Sequence, residues 1–178
     1  MTPFEYFVNY IYDAGSRNKT TLAQVGEFIE YINNHKGISI DTKINNTILV
    51  LAPHTDDGEL GCGATISRYI KEGKNVYYAA FSICEESVPE GFPKDILETE
   101  VKKATAELGI KKENLIIYKF KVRRFPEFRQ DILEELVKLN RKIKPDLVFM
   151  PSSFDIHQDH KTIFEEGRRA FKHSSILG

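Results

Sequence analysis

Cysteine is scarce: the 178 residues include only Cys62 and Cys84. Two cysteines are too few for a disulfide framework, so the chain reads as a cytoplasmic protein of a reducing compartment. An excess of one charge is lacking as well. Lys and Arg number 25 against 26 Asp and Glu, which gives no electrostatic case for nucleic acid or an anionic membrane. No apolar run is long enough for a transmembrane helix. The N-terminus carries Glu5 and Asp13 where a signal peptide needs a basic stretch and then an apolar core. There is no repeat and no low-complexity segment. The remaining composition, 41% hydrophobic and 29% charged, is that of a soluble globular domain able to bury a core.

Two amphipathic helices are expected first. Residues 3–13 place Phe4, Phe7, Val8, Ile11 and Tyr12 at helical spacing, and residues 21–34 do the same with Leu22, Val25, Phe28, Ile29 and Ile32. Residues 1–45 thus read as a helical extension packed on a domain over 46–178, and its helices can serve an interface in a homo-oligomer. From Asn46 the chain alternates. Strands are expected over 47–52, 75–81, 115–120 and 146–150, and helices over 58–72, 95–108, 127–142 and 160–172. The first strand, TILVLA, is almost wholly apolar, as a strand buried on both faces requires. Gly73 and Gly109 end the first two of these helices. Four such repeats imply an α/β, Rossmann-like, doubly wound and mostly parallel sheet with helices on both faces. In the order 3-2-1-4, the loops after the first and fourth strands face each other across the switch-point crevice.

Those two loops hold the chemistry. PHTDDGELGCG, Pro53 to Gly63, follows the first strand, and SSFDIHQDH follows the fourth. Three of the five histidines, His54, His157 and His160, lie in them, together with Asp56, Asp57 and Asp159. The other two, His35 and His173, sit near helix ends. Imidazole nitrogen and carboxylate oxygen are the usual ligands of a catalytic zinc, which keeps one position open for water. Hydrolysis also needs an uncoordinated carboxylate as base and a donor for the developing oxyanion. An Asp at a strand-to-helix turn is, taken singly, most often an N-cap. As a set, these residues supply each part of a metal-dependent hydrolase.

The run PHTDDGELGCG with the later HQDH resembles the LmbE-like, or PIG-L, family of zinc-dependent N-deacetylases, from about Asn46 onward. The resemblance implies removal of the N-acetyl group from an N-acetylglucosamine-type amino sugar. It implies that His54, Asp57 and His160 bind Zn2+, or another divalent metal. Asp56 would be the base that activates the metal-bound water, and His157 would face the substrate carbonyl. Asp159 would orient a histidine from behind. Glu85 and Arg123, after the second and third strands, are candidate substrate contacts. The family pattern is Pro-His-Pro-Asp-Asp-Glu, so Thr55 and Gly58 depart from it, and Glu59 follows the second departure. The family also implies further strands beyond Gly178, and the chain reads as lacking them. Two rival readings stand beside this one. The first is a non-hydrolytic nucleotide-binding domain; against it, Gly58, Gly61 and Gly63 are not in dinucleotide order. The second is a metal-binding scaffold that has lost activity.

Overall fold

Thr47–Ala52 forms the central strand, β1, and its five residues after Thr47 are all buried. The computed structural model describes residues 46–178; the helices expected over 3–13 and 21–34 lie outside them. The other strands are β2 (Asn75–Ala80), β3 (Leu115–Ile117), β4 (Leu147–Phe149) and β5 (Ser175–Leu177). They form one sheet in the order β3-β2-β1-β4-β5, and every pairing is parallel. The expected α/β class and the order 3-2-1-4 are found, with β5 added at the edge beside β4. The short, half-exposed Ser-Ile-Leu of β5 carries no strand signal of its own. It becomes a strand because β4 offers it an unpaired edge, in register Leu147 to Ser175.

Alternation along β1 divides the core. Ile48, Val50 and Ala52 pack on one face with Ile66 and Val101, which belong to helices α1 (Asp57–Lys71) and α2 (Ile96–Glu107). Leu49 and Leu51 pack on the other face with Ile132, Leu136 and Ile163, from α3 (Arg129–Ile143) and α4 (Gln158–Ala170). Each such buried Val, Leu or Ile side chain contributes about 1.5–3 kcal/mol. Gly73 and Gly109 follow α1 and α2 with φ of +78° and +89°, a left-handed conformation that costs glycine little.

The structure differs from expectation after β3. The strand stops at Ile117 rather than residue 120. Tyr118 and Phe120 still donate backbone N–H bonds to Ala80 and Phe81, but their rings turn to pack on Phe81. A 3-10 turn, Phe125–Phe128, then seats the fully buried Phe125 ahead of α3. No helix among the described residues is long and apolar enough to cross a membrane.

Candidate metal centre

The parallel sheet brings the carboxyl ends of β1, β3 and β4 to one edge, and the loops that leave them build the site. β1 runs into His54, Asp56 is the N-cap of α1, and Asp57 is its first residue. β4 leads through a short loop to His157, the N-cap of α4, whose first turn carries Asp159 and His160.

Three donor atoms converge. His54 Nδ1 lies 3.3 Å from Asp57 Oδ2. His160 Nε2 lies 3.2 Å from the same oxygen and 3.3 Å from His54 Nδ1. Zinc bonds of 2.0–2.1 Å in a tetrahedron separate neighbouring donors by about 3.3–3.4 Å, so this triangle fits a divalent cation. Behind each imidazole stands a carboxylate. His54 Nε2 is 3.0 Å from Asp159 Oδ2, and His160 Nδ1 is 2.7 Å from Asp155 Oδ2. A carboxylate there fixes the tautomer and aims the other nitrogen at a metal.

Asp159 is fully buried. Its carboxylate also accepts the backbone N–H of Arg123 at 2.5 Å and of Phe125 at 3.1 Å. Burial works against its charge, but the bonds from His54, Arg123 and Phe125 prevail and hold its pKa below the usual carboxylate range. Arg123 adopts φ of +64°, so a left-handed residue in the loop after β3 is tied to the acid behind His54. Burial likewise opposes charge on His54, but bonds to Asp159 and Asp57 push its pKa up to about 9. The pKa of His160 is also raised, since the Asp57 and Asp155 bonds and charges outweigh its burial.

His157 completes a second grouping. One nitrogen of His54, His157 and His160 each lies within 4.8 Å of the others, a cluster that can hold a divalent metal. It is looser than the triangle that includes Asp57, and His157 Nδ1 is already engaged, accepting the Asp159 N–H at 3.2 Å. Burial and the nearby His54 and His160 charges lower the His157 pKa, and with Nδ1 accepting the Asp159 N–H the neutral ring has Nε2 as its donor.

Cavities flank the donors. One of about 340 Å3 is lined by His54, Asp56, Glu59, Arg123 and His157 among others. Another, of about 460 Å3, is lined by Asp57, His160 and Asp155 at one end and by Phe149 and Leu177. Asp56 is exposed, and its side chain makes no capping bond among the described residues. Glu85 is exposed in a 3-10 turn and is not brought to either cavity. Of the three arginines near β3, Arg124 pairs with Glu127 and Arg129 with Glu166, while Arg123 lines the smaller cavity. One residue of the site has no role in the sequence reading: Asp155, although its place five residues before His160 is the signal that would find it.

A family model described as PIG-L, GlcNAc-PI de-N-acetylase, matches residues 49–171. Diacetylchitobiose deacetylase of Thermococcus kodakarensis is 28% identical over 136 residues, covering 68% of this chain and 50% of that protein. The chain therefore spans about half the length of this curated relative. The conserved protein TT1542 of Thermus thermophilus superposes with a TM-score of 0.58 at 31% identity, over 74% of this chain and 60% of that one. N,N'-diacetylchitobiose deacetylase of Pyrococcus horikoshii superposes with a TM-score of 0.65 at 22% identity, over 85% and 59% of the two chains; at that identity the likeness is one of fold. The family match runs from within β1 to just past α4 and so takes in both histidine-bearing loops, and on this ground the chain belongs to the PIG-L family.

Proposed function

We propose that this chain is a metal-dependent hydrolase that removes the N-acetyl group from an N-acetylglucosamine-type amino sugar. The observation that carries this reading is the donor triangle of His54, Asp57 and His160, each imidazole backed by a carboxylate, with an unengaged Asp56 beside it. Bound there, zinc or a similar divalent ion would polarise the amide carbonyl and lower the pKa of water. The remaining chemistry belongs to the chain. Asp56 takes a proton from the attacking water as the new C–O bond forms. His157, with Nε2 as its donor, stabilises the oxyanion, and the proton held by Asp56 passes to the departing nitrogen. The C–N bond then breaks, leaving acetate and a free amine. Arg123, which lines the smaller cavity, would meet polar groups of the sugar.

Two measurements test this together: metal per chain by elemental mass spectrometry, and acetate release from N-acetylglucosamine and N,N'-diacetylchitobiose. The expected result is about one divalent ion per chain and acetate in step with free amine. Metal-loaded protein that frees no acetate from any N-acetylated amino sugar would sink the proposal.

Metal uptake should depend on pH. In the metal-free chain His54 keeps its proton up to about 9, and a cation must displace it. Zinc affinity is expected to rise roughly tenfold per pH unit between about 7 and 9 for each proton displaced. Chelator competition at three pH values measures this, and a flat response would contradict it. The sign is opposite for the metal-free fold. Its ion pairs on His54 are complete below the ordinary histidine value of 6.5 and are lost as pH rises through about 9.

A further inference from the structure

The backbone N–H groups at the start of a helix need acceptors, and the N-cap side chain usually supplies one. At α1 that residue is Asp56, which makes no side-chain capping bond among the described residues. The acceptor comes from the sheet instead. Tyr78, fully buried on β2, pairs with Val50 of β1 and carries its phenol beneath the turn. Its hydroxyl accepts the Gly58 N–H at 3.1 Å and donates to the Thr55 carbonyl at 3.0 Å. The two bonds bracket Asp56 and Asp57.

Gly58 makes room for this arrangement. A Cβ there would fall 2.5 Å from Tyr78 Cε2 and 2.8 Å from both Cζ and the hydroxyl oxygen. Gly58 lies within α1 and is not among the residues with positive φ, so glycine is required for space rather than for conformation. A side chain at position 58, including the glutamate of the family pattern, would collide with the ring.

We infer that Tyr78 is a positioning residue of this site: its hydroxyl caps α1 in place of Asp56, leaving the Asp56 and Asp57 carboxylates to base and metal. The inference rests on the metal reading above. It accounts for two features together, an N-cap aspartate that does not cap and a helical glycine that needs no special backbone. Tyr78 touches neither donor triangle nor substrate cavity, so it acts only through the turn.

The test uses Co2+, whose visible absorption reports both affinity and the geometry of its ligands. Wild type, Tyr78→Phe and Gly58→Ala are titrated as full chains, and circular dichroism follows their folding. Tyr78→Phe keeps the ring and loses the hydroxyl. It should bind Co2+ at least about tenfold more weakly, the lower end of what supporting partners contribute, with a changed absorption band. A folded Tyr78→Phe variant with wild-type affinity and spectrum would overturn the inference. Gly58→Ala decides the matter if Tyr78→Phe does not fold. Alanine is the better helix former, so a purely local view expects unchanged or tighter binding, and that outcome also overturns the inference. The expected result is weaker binding, because the added methyl displaces the phenol or the turn. Wild type that takes up no Co2+ would overturn the metal reading and this inference with it; failure confined to the variants leaves the metal reading standing.

Discussion

Asp56→Asn is expected to retain its metal and lose turnover by about a thousandfold, within the range that a general base contributes. The amide has nearly the same size and keeps an acceptor oxygen, but it cannot take a proton from water. Asp56 is not in the donor triangle, which His54, Asp57 and His160 complete without it. Its carboxylate is exposed to the cavity that it shares with His157. Metal content and acetate release, measured on the same preparation, separate the two roles. Normal turnover would remove Asp56 from the base role, and loss of metal would make it a ligand.

His157→Ala is expected to cut the rate by about a hundredfold or more, as removal of an oxyanion donor does, while metal content stays at the wild-type level. This variant arbitrates between the two groupings of donors. If the metal sits among the three histidines, the substitution removes a ligand, and metal and rate fall together. If it sits between His54, Asp57 and His160, only the rate falls. A second consequence must be kept apart from the first. The His157 ring accepts the Asp159 N–H as the N-cap of α4, and losing such a cap costs about 0.5–2 kcal/mol of stability. His157→Asn retains a capping acceptor and should recover most of that stability without recovering the rate. Recovery of both would reduce His157 to a capping residue.

Much of the fold could be read along the chain because its signals are local. TILVLA declares a buried strand by its composition, and the strands and helices that follow declare themselves by period and by the glycines that end them. The rule that parallel crossovers are right-handed then leaves few sheet orders, and the one expected is present. β5 could not be read in this way, since three weakly patterned residues become a strand only where a neighbour offers an edge. The shortening of β3 has a similar cause: packing of Tyr118 and Phe120 on Phe81 overrides a run that looks extended in sequence.

The site divides along the same line. Sequence alone determined which residue types would meet, because two polar clusters after two buried strands have to share the switch-point crevice. It did not determine which atom faces which. The pairing of His160 with Asp155, the three bonds on Asp159 and the phenol of Tyr78 beneath the turn are fixed by sheet register and by backbone geometry in a third loop. His54 and Asp159 are 105 residues apart, and Arg123 and Asp159 are 36 apart. Hydrogen bonds tolerate only a few tenths of an ångström and a narrow range of angles, whereas a sequence pattern reports no more than which face is buried. Which carboxylate stands against which imidazole nitrogen was therefore decided by the tertiary structure.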